Sequence, residues 1–370
     1  MGPDRNASKP PPMPRPAWRA GAGLRPASNE TAPALPSPVR MQTPSAPIVG
    51  FHASHEQHAP SQLLRLVQRA EEAGFTAAMC SDHFHPWTTA QGQSGHAWAW
   101  LGAALQATQL SFGVVCAPGQ RYHPAVVAQA AATLAELYPG RFWLAVGSGE
   151  ALNESITGAA WPDKAERQQR LLECVQIMRA LWKGKTVTHE GHVTVREATL
   201  FSRPETPPLL VAAALTPETA EWAGGWADAL ITVAGPRDQM RAVRDAFRRG
   251  GGDGKPVWLQ AAIALGATDA ESLQLARTHW PQSALPGPAL SDLAAPHAFD
   301  EATRAVSDDR LRGAVRASAD VEQQMAWLHE DAAMGFDRIY LHSVQPKHQR
   351  FFERMAGRVC DAFSRPPRSG

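Results

Sequence analysis

From Ile48 onward the chain alternates between short apolar runs and longer helix-like segments, and it does so eight times. The strand-like runs are Ile48 to His52, Phe75 to Cys80, Ser111 to Cys116, Phe142 to Val146, Leu209 to Ala213, Leu230 to Val233, Val257 to Ala264 and Asp337 to His342. They read as near-continuous apolar stretches, which is the signature of parallel strands covered on both faces. Between them lie helix signals. Ser61 is placed to cap a helix over Gln62 to Ala73, which ends at Gly74, and Pro124 opens another that runs to Leu137. A long helix is expected from Lys164 to Trp182, and further helices begin near Pro217, Arg237, Asp320 and Lys347. Eight such units with no division into halves favour a single (β/α)8 TIM barrel over a doubly wound sheet. Two insertions interrupt the rhythm: a hairpin pattern after helix 4, around Glu190-Gly191, and a segment from about Thr268 to Arg316 between strands 7 and 8. The barrel domain is expected over 48-370.

Residues 1-47 have a different character. They hold 12 of the 31 prolines and six Arg or Lys against two acids, with no continuous apolar core of a secretory signal. Such a composition buries too little apolar surface to offset chain entropy, so the expectation is a disordered, Pro-rich, basic tail. Over the whole chain the net charge is +1, which gives no general attraction for nucleic acid or an anionic membrane. No apolar run approaches the roughly eighteen residues of a membrane helix. The four cysteines form no CxxC pair, and Cys80, Cys116 and Cys174 sit in apolar stretches that suit reduced core thiols. A cytoplasmic enzyme acting on a small-molecule substrate is expected.

In a parallel barrel the C-terminal strand ends converge on one mouth, and chemistry gathers there. Two strand ends carry the richest sets of reactive residues: Ser81-Asp82-His83-Phe84-His85-Pro86-Trp87 and Gly147-Ser148-Gly149-Glu150-Ala151-Leu152-Asn153-Glu154. His83 and Glu150 offer two proton-transfer groups of different basicity. Trp87 offers a flat face for a planar ring. Read alone, His83 could equally be a structural histidine, and Glu150 could simply charge the first turn of a helix, where the dipole favours an acid.

Histidines after strand 1 (His52, His55, His58) and the His189-Glu190-Gly191-His192 cluster raise a second reading, a metal-dependent hydrolase barrel. That reading lacks ligands after strands 5, 6 and 8, where the chain has Ala214-Leu215-Thr216, Val233-Ala234-Gly235 and His342-Ser343-Val344. No metal site is therefore expected. A flavin-binding barrel without turnover is the third reading.

The segments SDHFHPW, QRYHP (Gln120 to Pro124) and YPGRFWLAVGSGEALNE (Tyr138 to Glu154) resemble the luciferase-like flavin or deazaflavin oxidoreductases, near the deazaflavin-dependent glucose-6-phosphate dehydrogenase branch. The resemblance implies a (β/α)8 barrel with catalytic His83, Glu150 and Trp87. It further implies a cofactor held by Asp82, Val114, Val115, Asn153 and Gly149, with a non-prolyl cis peptide at Val114–Val115 under the ring. A homodimer is expected on the same ground. This chain departs from the branch after strand 5, where Ala213-Ala214-Leu215-Thr216 replace a glycine pair, and after strand 6, where Ala234-Gly235-Pro236 replace a phosphate-reading lysine. The lost glycines favour FMN, with the deazaflavin coenzyme F420 as the alternative. Hydride transfer and monooxygenation both fit the resemblance.

Overall fold

The computed structural model describes residues 47–363; the expectation for the Pro-rich tail lies almost wholly outside them. Eight parallel strands form the frame: β1 (Ile48–Ala53), β2 (Ala77–Ser81), β3 (Ser111–Cys116), β4 (Phe142–Val146), β5 (Leu209–Ala213), β6 (Ala229–Val233), β7 (Val257–Ala264) and β8 (Arg338–Ser343). Each pairs with its neighbour in chain order, and β8 returns to β1, so the sheet closes into a (β/α)8 barrel. Among the described residues no helix is long and apolar enough to cross a membrane.

The pleat decides which residues line the inside. Ala77, Met79, Trp143, Ala145, Val211, Ala229, Ile231, Trp258 and Tyr340 form one buried cluster within the barrel. Their sequence neighbours, such as Ala78, Leu144, Leu210 and Leu230, pack outward in a separate and larger cluster that includes the surrounding helices. Two tryptophans and a tyrosine fill the interior, with Trp143 4.7 Å from Trp258 and 5.6 Å from Tyr340 between ring centroids. They fit because the adjacent strands carry glycine: a Cβ on Gly113 would stand 1.8 Å from the Trp143 ring, and one on Gly50 2.6 Å from Tyr340. The barrel is thus plugged by side chains, and only its mouth is left for chemistry.

The helix after β1 spans Pro60–Glu72 and buries Leu63, Val67 and Ala70, and the chain leaves it through Gly74 at φ 102°. Ser61 does not cap it. Ala59 is the N-cap and Pro60 the first residue, so proline's fixed φ starts the helix one position earlier. The hairpin of the first insertion pairs Val187–Glu190 with Thr194–Ala198. The second insertion folds into the helix Asp269–His279, a 3-10 turn Pro281–Ala284, and helices Gly287–Asp292, Pro296–Thr303 and Asp308–Ala314.

That second insertion is fastened to both sides of the mouth. On one side the Asp300 carboxylate accepts hydrogen bonds from the Thr89 amide (3.1 Å) and hydroxyl (2.6 Å), and Phe299 meets Trp87 edge-on at 5.3 Å. On the other, Asp292 accepts from the Trp161 indole at 3.1 Å, and Arg167 donates to Ser291.

Candidate active site

His83 lies just past the end of β2. The Asp82 amide carries the ladder one bond further, donating to the Val115 carbonyl, and the Ser94 hydroxyl donates to the His83 carbonyl at 2.7 Å. With its backbone fixed on both sides, the imidazole stands between two carboxylates. Glu56 Oε1 lies 3.6 Å from Nδ1, and Glu150 Oε2 lies 3.7 Å from Nε2. Both separations are ion-pair distances, longer than a hydrogen bond. The Trp87 ring lies 5.0 Å from that of His83, tilted by 57°.

The two carboxylates differ. Glu56 is buried at 1% exposure and accepts a hydrogen bond from the Ser54 hydroxyl at 2.7 Å. Burial alone would raise its pKa, but His83, His52 and the Ser54 hydroxyl together bring it below the usual carboxylate range. It is therefore an anion at neutral pH. The Glu150 side chain keeps 33% exposure. Its desolvation in the mouth, with Glu56 and Glu154 adding repulsion, raises its pKa despite the nearby His83. One partner of the imidazole is a fixed anion behind it; the other is a more weakly acidic group on the open side.

Glu150 occupies the N-cap position of the short helix Ala151–Glu154 but makes no side-chain cap. Its carboxylate instead accepts from the Asn153 amide at 3.1 Å. The Asn153 carbonyl oxygen in turn accepts from the backbone amides of Phe84 (2.9 Å) and His85 (3.4 Å). Asn153 thus ties the loop carrying His83 to the loop carrying Glu150. Gly149 holds φ 87°, and a Cβ there would stand 3.2 to 3.3 Å from Glu154, Ala117 and Trp161. Only glycine makes this turn without strain.

Asp82 is buried beside the site and its carboxylate meets Arg121 at 3.2 Å. Arg121 also faces Glu154, whose carboxylate accepts from the Arg121 amide at 2.7 Å. One Asp82 oxygen, Oδ1, is buried without a partner. Val115 faces the mouth, whereas Val114 packs outward among the helices. The expected cis peptide between them is corrected: the described residues contain none. Both residues sit inside the regular parallel ladder, opposite Leu144 and Ala145 on β4 and opposite Cys80 and Ser81 on β2, which trans peptides satisfy.

At or just past the last inward position of six of the eight strands the floor of the mouth is laid out. Val115, Gly147, Ala213 and Val233 supply one side, with Val233 46% exposed. A Cβ on Gly147 would meet that of Ala213 at 3.8 Å. His52 and His342 supply the other side, their rings 4.6 Å apart.

The structure brings His83, Glu150, Trp87 and Asn153 together. Glu56 was not singled out from the sequence, although it lies among the histidines that follow strand 1. Arg121 and Glu154 stand within the motifs read from the sequence but were given no role there, and His342 was weighed only against a metal site. The signal for Glu56 was an acid embedded in an otherwise neutral strand-end loop, which needs a partner across the mouth. Among the described residues no three His, Cys, Asp or Glu converge as a metal would require. His189 pairs with Glu173 at 3.0 Å and His192 with Gln169 at 3.1 Å, both on the first insertion.

Comparison with known proteins agrees with this architecture. Residues 45–338 match the family model of the luciferase-like monooxygenases. The chain is 33% identical over 322 residues to an F420-dependent glucose-6-phosphate dehydrogenase of Beutenbergia cavernae, covering 84% of this chain and 96% of that one. It is 32% identical over 317 residues to the enzyme of the same name from Mycolicibacterium smegmatis, covering 82% and 94%. Among solved structures, an F420-dependent secondary alcohol dehydrogenase in complex with an F420-acetone adduct superposes with a TM-score of 0.77 at 30% identity, covering 84% of this chain and 99% of that one. A coenzyme F420-dependent tetrahydromethanopterin reductase from Methanopyrus kandleri shares the fold, with a TM-score of 0.67 at 17% identity, covering 86% and 100%. The chain belongs to the luciferase-like monooxygenase family of oxidoreductases.

Proposed function

We propose that this protein is a deazaflavin-dependent dehydrogenase that oxidises the alcohol carbon of a small substrate, with coenzyme F420 rather than FMN as hydride acceptor. The observation that carries the reading is His83 held between a fixed anion and an open-side acid. Oxidising an alcohol releases a hydroxyl proton along with the hydride, and that proton needs a base at the mouth. With Glu56 behind Nδ1, the N–H of the ring is favoured on that side, leaving Nε2 to accept the substrate proton. Glu56 then stabilises the imidazolium. Glu150, facing Nε2 and reaching solvent, passes the proton outward.

The apolar side of the mouth fits a planar cofactor ring. Val115, Ala213 and Val233 present aliphatic groups, and Gly147 adds no side chain between them. Asp82, with an unpartnered buried oxygen, is a polar group that a ring N–H can satisfy. These residues would hold the cofactor, which supplies hydride acceptance when bound. Trp87 closes the side nearest His83 and bounds the substrate.

FMN would suit the same apolar floor. The relatives' common dependence on F420 turns the choice toward the deazaflavin, against the expectation drawn from Ala213-Ala214. The test is a pair of binding titrations with F420 and with FMN, followed by turnover of secondary alcohols under the cofactor that binds. Tight F420 binding with alcohol-dependent reduction of the deazaflavin is expected. Tight FMN binding without F420 binding would overturn the cofactor, and alcohol-independent oxygen consumption would overturn the reaction.

A further inference from the structure

The mouth holds two buried histidines that the proton-transfer scheme does not use. His52 and His342 are 2% and 1% exposed. Both face inward. Their neighbours Phe51, Ala53, Ile339 and Leu341 pack in the outer cluster, while Tyr340, two residues before His342, fills the barrel interior. Both nitrogens of His52 lack a partner, as does Nδ1 of His342. The tautomer of His342 follows from its neighbours. The Gln57 amide nitrogen donates to the Val344 carbonyl at 2.6 Å, so its oxygen is the end that meets His342 Nε2 at 2.8 Å. Nε2 therefore carries the hydrogen, and Nδ1 is a bare acceptor. Trp280, from the second insertion, meets the His342 ring edge-on at 4.1 Å and covers this side.

Buried polar atoms without partners are uncommon in folded proteins, and a pair of rings bearing three of them beside a reaction centre is a ready set of ligand contacts. Burial lowers the pKa of His52 to about 4 and that of His342 further, so both rings are neutral in use. A neutral imidazole offers one donor and one acceptor, which matches a hydroxyl group. His52 on β1 stands in register with Met79 on the neighbouring β2, the strand that leads into His83, so the subsite adjoins the base.

The surroundings oppose an anion. Glu56 and Glu150 flank His83, and Arg121, the guanidinium on the loop after β3, is engaged by Asp82 and Glu154. We propose that His52 and His342 form a second hydroxyl subsite, so that the substrate is an uncharged polyol whose reacting carbinol faces His83 while a neighbouring hydroxyl is held by the two imidazoles. This substrate class rests on the dehydrogenase reading above, but the subsite itself can be tested apart from it.

The test compares 2-propanol, 1,2-propanediol and glycerol 3-phosphate, which share a secondary carbinol; the second adds a neighbouring hydroxyl and the third adds both that hydroxyl and a phosphate. The intact chain, assayed with whichever of F420 or FMN supports turnover, should show kcat/KM for the diol at least tenfold above that for 2-propanol, with glycerol 3-phosphate below the diol. In His52→Leu the ratio of diol to 2-propanol should fall at least tenfold. The melting temperature should hold or rise, because leucine removes two unpartnered buried polar atoms. A wild-type preference for 2-propanol or for the phosphate overturns the proposal. So does a His52→Leu variant that loses stability and leaves the ratio unchanged, since that is the signature of a structural histidine.

A second measurement needs no cofactor. Glycerol titrated into the wild-type protein should shift the ring 15N resonances of His52 and His342 saturably. No shift overturns the subsite. A shift without alcohol turnover under either cofactor upholds the subsite and removes the dehydrogenase reading.

Discussion

The two sides of the barrel mouth are made from equivalent strand positions and opposite chemistry. On β3 to β6 the residues at or just past the last inward position are Val115, Gly147, Ala213 and Val233; on β1 and β8 they are His52 and His342. The backbone geometry is shared, because every strand is parallel and in regular register with its neighbours. The side chains at those positions differ, so that one side suits the face of an aromatic ring and the other a hydroxylated molecule. The chemistry of this barrel is therefore written in a thin layer, and the layers below it serve to hold that layer still. Trp143, Trp258 and Tyr340 do so by filling the interior.

If the division is real, variants on the two sides should separate turnover from cofactor binding. The largest effect is expected for His83→Ala, which removes the base. Turnover should fall by about a thousandfold, within the usual range for losing a general base. The dissociation constant for the cofactor should stay within a few-fold, because the ring rests on the other side. Steady-state rates and a fluorescence titration on the same preparation decide it. Equal losses in both would show that His83 belongs to the cofactor site and that the division is false.

Glu56→Gln should come next. It keeps the shape and a hydrogen-bond acceptor for Ser54 but removes the anion 3.6 Å behind Nδ1. The imidazolium formed in the reaction then loses its partner, and kcat should drop on the order of 10- to 100-fold with KM little moved. Glu56→Asp, which keeps the charge, should recover part of that rate. An unchanged kcat in Glu56→Gln would make Glu56 a structural acid.

Val233→Asp tests the opposite side. It sets a carboxylate on the apolar floor without touching His83 or Glu56. Cofactor affinity should weaken about tenfold, equivalent to about 1.4 kcal/mol, while kcat at saturating cofactor changes by less than threefold. If affinity holds and kcat falls, the ring does not lie over β6.

The contrast also explains what could be read from the chain alone. The eight strands and their covering helices were legible because parallel strands need unbroken apolar runs and helices need a 3.6-residue period, and both leave marks on composition. His83, Glu150 and Trp87 were legible because they crowd the ends of two such runs. Glu56 was not, since its contact with His83 is made between the loops that follow two neighbouring strands, β1 and β2, and no residue pattern in either loop marks that contact. The second insertion was visible as an interruption, but its fastening through Asp300 and Asp292 depends on residues 211 and 131 positions away in sequence, respectively. The trans Val114–Val115 peptide shows the reverse failure: there a family expectation yields to the local ladder.

The last prediction concerns stability rather than turnover, at a histidine in the loop after β1. His55 is fully buried, packs edge-on against Trp100 at 4.8 Å, and has no partner for either nitrogen. Burial lowers its pKa from 6.5 to about 4, against the opposing pull of Glu56. Above pH 6.5 it is neutral in both folded and unfolded chains and contributes no pH dependence. Between 6.5 and about 4 the unfolded chain takes up a proton that the folded chain refuses, so stability falls as pH falls, by up to about 1.4 kcal/mol per pH unit. His52 and His58, also lowered to about 4, add to the same slope. Thermal melts at half-unit steps should therefore show a steep decline over that window. His55→Phe should match wild type above pH 7 and decline less below 6, because phenylalanine keeps the edge contact with Trp100 and has no proton to gain. Parallel curves for the two proteins would mean that His55 is charged in the fold, and would place a compensating anion, Glu56, on it rather than on His83.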